Sequence, residues 1–328
     1  MTHPHSARIS GRFPQDTPYT AAMTRLTYES ASGKRLPLSI WYPSRDQEKK
    51  RRDGIYDLSF ARDGKPARGR FGVIMISHGS GGSDINHHDW AEHLARNGYV
   101  VGAVRHLGDS HDQQRGLASR EQLLDRPRQL KKGLDVVLSH PALKECIDPG
   151  RVGALGFSAG GYTVLTLLGA VPDYSRWKLY CQANPDPTAV CPLGDDTDPA
   201  SPGDADWGKI YDPRIKAAVL MAPFAMLFEP QTLAKITVPL RIYRAEDESI
   251  TKNPWNADSV AKNASGPVDV VTTPGDHYVF IAPVKEALRR KYPEFYQDAP
   301  GIYRDALHVE IGKSLQVFFN TALEARHD

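Results

Sequence analysis

No apolar run in this 328-residue chain approaches the roughly 18–20 residues that a membrane-crossing helix requires. The opening MTHPHSARISGRFPQDTPYT lacks the apolar stretch of a secretory leader, so the expected compartment is the cytoplasm, with no membrane span. Charge of one sign is missing too. The 41 Lys and Arg against 39 Asp and Glu leave +2, which gives no reason to expect a nucleic-acid partner. The densest basic run, Lys49, Lys50, Arg51 and Arg52, lies among Asp46, Glu48 and Asp53 without interleaved aromatics and reads as a solvated loop. Cysteine is scarce. Cys146, Cys181 and Cys191 are too few for a disulfide framework, although Cys181 and Cys191 could pair locally. There is no GxxxxGK[ST] loop and no strand-linked GxGxxG, so no nucleotide cofactor is expected. Among His87, His88, Asp89 and His93 only Asp89 and His93 stand at i,i+4, with no third ligand, and no metal site is expected.

What the chain does contain is an alternation. Strand-like runs at 25–28, 38–42, 72–77, 100–104, 152–157, 217–222, 240–244 and 268–272 are interleaved with helical patterns at 88–97, 121–139, 159–170, 254–263 and 305–322. Such an order predicts parallel strands joined by crossover helices, an α/β fold. The first two runs have no helix between them and predict an antiparallel edge hairpin. Neither a repeat nor a linker divides the chain, so 1–328 is expected to be one domain. Residues 171–212, rich in Pro, Gly and Asp, break the rhythm and read as an irregular insertion. Coming directly after a helix, this insertion is either a lid over a pocket or a surface excursion.

The stretch GALGFSAGGY at 153–162 places Ser158 where a buried strand turns into a helix. Side chains two residues either side of such a corner would strike neighbouring backbone, and Gly156 and Gly160 have none. The helix beyond aims free N–H groups at the same space and favours an anion there. Ser158 is therefore the candidate nucleophile. A serine hydroxyl needs a base, and the base needs an orienting carboxylate. Where the chain order is Ser, acid, His, only His277, His308 and His327 qualify as base. His277 follows a strand in TPGDHYVF and is preferred, since His308 falls within a helix and His327 in the tail. The acid is expected after the strand VPLRIYRA, where Glu246, Asp247 and Glu248 are all candidates. In SHGSGG after the 72–77 strand, Gly79, Gly81 and Gly82 permit close backbone approach. The N–H groups of Ser80 and Ala159 are the candidate oxyanion hole, with His78 bracing the loop. Phe224, Met226, Leu227 and Phe228 follow a strand end and either line an apolar substrate pocket or pack in the core.

These segments resemble α/β-hydrolase esterases of the predicted dienelactone hydrolase group, close to the platelet-activating-factor acetylhydrolase branch. The resemblance runs from LPLSIWYPS through VIMISHGSGG, LARNGYVVGAVRHLGDS, RPRQLKKGLDVVL, VGALGFSAGGYT and RIYRAEDESITKNPWNADSV to PGDHYVFIAP. It implies an α/β-hydrolase fold, no cofactor, and a triad acid at Glu248, where the family usually holds Asp; Asp247 is the second choice. Dienelactone hydrolases proper use a cysteine nucleophile, so Ser158 argues against carrying over their substrate. Many relatives are exported behind a leader that is not recognisable here. The expected function is cleavage of a small-molecule carboxylic ester through an acyl-enzyme. The alternatives are an amidase or peptidase with the same triad, or a non-catalytic binding protein of the same fold.

Overall fold

Runs such as FGVIMIS and YVVGAV are apolar at nearly every position, so neither face of such a strand can be left in water. In the computed structural model, which describes residues 17–30, 33–114, 120–185, 190–191 and 206–324, both runs are buried throughout, inside a ten-stranded sheet. Its first strands are β1 (Thr20–Glu29), β2 (Arg35–Ser44), β3 (Lys49–Asp53), β4 (Tyr56–Arg62), β5 (Phe71–Ser77) and β6 (Tyr99–Val104). A separate small ribbon is made by β7 (Asp109–Ser110) and β8 (Gln113–Gln114). The sheet continues with β9 (Ile147–Phe157), β10 (Ile215–Met221), β11 (Leu240–Ala245) and β12 (Val268–Thr273). The strand order is β12-β11-β10-β9-β5-β6-β2-β1-β4-β3. Pairing is parallel from β12 to β6 and antiparallel from β6 through β2 to β1. This is the mostly parallel, helix-flanked sheet of an α/β-hydrolase fold, with the antiparallel hairpin at its N-terminal side.

Alternate residues of each strand feed two cores. Ile74 and Ile76 pack with Trp90 and Leu94 of α1 (His88–Arg96) and with Leu315 and Phe319 of the C-terminal helix Arg304–Glu324. Val73 and Met75 pack on the other face with Leu134 and Val137 of α2 (Arg120–Ser139) and Val164 and Leu165 of α3 (Ala159–Leu167).

Two expectations change. The basic run is not a loop but β3, which pairs antiparallel with β4 and extends the sheet beyond the β1–β2 hairpin. The chain turns at Gly54-Ile55, with Gly54 at φ +55°, the first central position of a two-residue hairpin turn, where glycine is favoured. A charged outermost strand also resists pairing with another chain. The insertion, read as irregular, contains α4 (Ser175–Ala183) and a short helix at Trp207–Ile210. Cys181 and Cys191 are joined, with Cα atoms 5.6 Å apart. Residues 186–189 and 192–205 of the insertion, and His327, lie outside the described residues. Among the described residues no helix is long and apolar enough to cross a membrane.

Burial of histidines predicts how the fold responds to acid. Desolvation, aided by the nearby Arg126 charge, pushes His78 down to about 3, and desolvation takes His87 and His93 down to about 4. An unfolded histidine titrates near 6.5, so below that pH the unfolded chain binds protons that the folded chain does not. The contribution of these residues is complete above about 6.5 and is lost as pH falls toward 4, each with a slope approaching about 1.4 kcal/mol per pH unit. His88 acts in the opposite sense: burial lowers it, but the hydrogen bond and charge of Glu92 outweigh burial and raise it. The urea midpoint, followed by circular dichroism, should fall steeply between pH 6.5 and 4.5. A midpoint unchanged over that range would contradict neutral burial of these rings.

Candidate active site

Ser158 stands between the end of β9 and the start of α3, at φ 53° and ψ −118°. A non-glycine residue in this region is strained and persists only where its surroundings hold it. Here the Ser158 N–H donates to Met221 C=O at 2.9 Å, and its C=O accepts from Gly161 N–H at 2.8 Å and Phe224 N–H at 2.9 Å. The flanking glycines are required. A Cβ on Gly156 would lie 2.2 Å from the Gly160 carbonyl oxygen, and one on Gly160 would lie 1.9 Å from that of Ser77.

His277 opens a short helical turn, His277–Phe280, directly after β12. Its Nδ1 is 2.8 Å from Glu248 Oε1, and both side chains are buried. The same Oε1 accepts from the N–H groups of Ile250 at 3.0 Å and Thr251 at 2.8 Å, which fixes the carboxylate against its own loop. Glu246 and Asp247 are exposed. Asp276, which the sequence reading passed over, joins the two loops: its carboxylate accepts from His277 N–H at 2.6 Å, Ser249 N–H at 2.8 Å and Ser249 Oγ at 2.6 Å. An aspartate just ahead of a helical turn is a capping signal that could have marked it. His308 has its ring nitrogens engaged elsewhere, Nδ1 2.6 Å from Asp89 and Nε2 2.8 Å from Val279 C=O. His93 bonds Gln316 at 3.0 Å and His88 bonds Glu92 at 3.3 Å, so the histidines and Asp89 near α1 turn to separate partners.

Ser158 and His277 open on one cavity of about 70 Å³, lined also by Ser80, Ala159, Phe157, Phe224, Trp177 and Tyr278. No hydrogen bond joins Ser158 Oγ to the His277 ring in this conformation among the described residues. The wall is mostly apolar, with Leu123, Val190 and Ile250 completing it beside Arg126 and Thr251. Ala159 is the first residue of α3, so its N–H has no acceptor within the helix. Ser80 is on the loop after β5 and places its hydroxyl 2.5 Å from Asp109 Oδ1. His78 braces this loop: Nδ1–H donates to Gly79 C=O at 2.6 Å, and Nε2 accepts from His106 N–H at 3.0 Å.

Of the suggested pocket residues, only Phe224 borders the cavity. Met226, Leu227 and Phe228 are fully buried in the core and do not line it. Asn256 Oδ1 accepts from the N–H groups of Ala225 at 2.7 Å and Met226 at 2.9 Å, turning that segment inward, where Phe228 stacks on Tyr162. Trp177 and Val190 show that part of the 171–212 insertion forms the cavity wall.

The sequence matches no protein-family model and no curated protein. The structure is similar to that of a ferulic acid esterase from Streptomyces cinnamoneus, with a TM-score of 0.65 and 16% identity over 97% of this chain and 93% of that one. At that identity the likeness establishes the fold that the two chains share.

Proposed function

We propose that the protein is a serine hydrolase that cleaves carboxylic esters. The observation carrying this reading is the buried His277–Glu248 bond opening on the cavity that the strained Ser158 also lines. Ser158 Oγ attacks the ester carbonyl while His277 Nε2 takes its proton, which it then passes to the leaving alcohol. Glu248 holds the proton on Nδ1, so Nε2 is left as the acceptor, and it stabilises the imidazolium as it forms. The N–H groups of Ser80 and Ala159 receive the oxyanion. Water then attacks the acyl-enzyme by the same proton path in reverse. The chemistry is carried by these side chains and backbone amides, and no cofactor enters it. Likeness to a ferulic acid esterase supports ester substrates. The sequence motifs support a place near the predicted dienelactone hydrolase and platelet-activating-factor acetylhydrolase esterases. Disulfides persist where thiols are oxidised, so the Cys181–Cys191 bond favours an oxidising compartment over the cytoplasm.

The cavity is far smaller than the several hundred Å³ of a drug-sized site, which favours short acyl groups over long ones. p-Nitrophenyl esters of increasing chain length, set beside the matching anilides, test this directly. Turnover should be fastest for the short esters and much slower for every anilide. Faster anilide cleavage would make the protein an amidase, and silence from the folded protein on all of them would make it a binding protein.

A further inference from the structure

Arg126 is a fully buried guanidinium on α2 that borders the same cavity as Ser80, Ser158 and Ala159. Burying a cation costs several kcal/mol unless its donors are used, and here they are used in two directions. Toward the loop after β5, Nη1 donates to Asp109 Oδ2 at 2.6 Å, while Asp109 Oδ1 accepts from Ser80 Oγ at 2.5 Å and Gly81 N–H at 3.1 Å. Nη2 adds bonds to Ser77 Oγ at 3.2 Å and to the His78 carbonyl. Toward the nucleophile helix, Nε donates to Thr163 Oγ1 at 3.1 Å, and that hydroxyl donates to Ala159 C=O at 2.9 Å. One planar group therefore reaches both residues whose amides would hold the oxyanion.

We propose that Arg126 is a positioning residue that sets the spacing of the Ser80 and Ala159 amides, an inference resting on the esterase reading above. A role as anchor for a substrate carboxylate fits less well, because Asp109 already neutralises the charge. Lysine cannot replace it, since an ammonium on a flexible stem lacks the fixed fork that reaches Asp109, Thr163 and His78 together. Oxyanion donors act through placement, and an error of about 1 Å near the reacting atoms costs on the order of 100-fold.

Three variants test this. Thr163→Val cuts the link from Arg126 Nε to Ala159, Ser80→Ala removes the hydroxyl bond to Asp109 and keeps the amide, and Arg126→Lys disturbs both sides. Expected losses in kcat are about 10-fold for each single link and about 100-fold for Arg126→Lys, with KM little changed. The inhibition constant of an alkylboronic acid, whose serine adduct is tetrahedral, should rise by the same factor as kcat/KM falls. A purely structural role would lower thermal stability without that correlation. If the folded variants keep kcat and boronate affinity within about twofold of the parent, the proposal fails. A rise in KM alone would make Arg126 a substrate anchor instead. Should Arg126→Lys not fold, the two single-link variants decide. A parent protein that neither turns over esters nor binds the boronate defeats the esterase reading itself, which separates that failure from this one.

Discussion

Replacing Ser158 with alanine is expected to lower kcat for a p-nitrophenyl ester by on the order of 10⁴–10⁶ while the fold survives. The loss is large because, in the proposed mechanism, the variant lacks the atom that forms the covalent bond. Removal of Oγ should leave the backbone bonds from Ser158 to Met221, Gly161 and Phe224 in place, since all of them use main-chain atoms. Alanine also carries a Cβ, so the strain at φ 53° remains and stability should change little. Circular dichroism and thermal melting alongside the kinetics separate loss of chemistry from loss of structure. A folded variant with more than a few per cent of parental kcat would remove Ser158 from the mechanism.

The second large effect is expected at Glu248. Changing it to glutamine should lower kcat by roughly 10²–10⁴ with a much smaller change in KM, because the bond to His277 strengthens as the imidazolium forms. Glu248 Oε1 already accepts three bonds, from His277, Ile250 and Thr251, so an amide must place its oxygen there and give up the negative charge. Glu248→Asp should be impaired too, but less. Its carboxylate is one methylene shorter, and the loop that carries it is tied to the His277 loop through Asp276 and cannot advance freely. Asp247→Asn should change activity only modestly, since that side chain is exposed. Severe loss in Asp247→Asn beside a near-normal Glu248→Gln would move the acid by one residue.

The contrast between Ser158 and Glu248 shows what the chain reveals when read as a string. Ser158 was legible because its corner restricts residue types: Gly156 and Gly160 lie where any Cβ would meet backbone, between an apolar strand and an apolar helix. Glu246, Asp247 and Glu248 differ only in which way a loop turns them, and no local pattern encodes that; family resemblance, not spacing, favoured the third. The β3–β4 pair was missed for another reason. Charge drew the reading of residues 49–53, while the alternation of Tyr56, Leu58 and Phe60, all buried, was the signal that mattered. Apolarity and a place after a strand end leave Met226 and Phe228 open to a cavity wall or to the core; in the fold, Asn256, far along the chain, holds Ala225 and Met226, and the side chains of Met226 and Phe228 lie in the core. Arg126 and Asp109 fall within stretches that carry the family resemblance, but no local pattern marks their role, since their partners come from β5, its following loop and α3.

Formation of a covalent intermediate on Ser158, activated by His277, can be followed by mass spectrometry. The parent protein and the Ser158→Ala and Glu248→Gln variants would be incubated with a fluorophosphonate and measured intact, then digested. One adduct per parent chain is expected, located on the peptide containing Ser158, with none in Ser158→Ala and slow formation in Glu248→Gln. An adduct on another residue, or an unmodified and correctly folded parent chain after prolonged exposure, would contradict it.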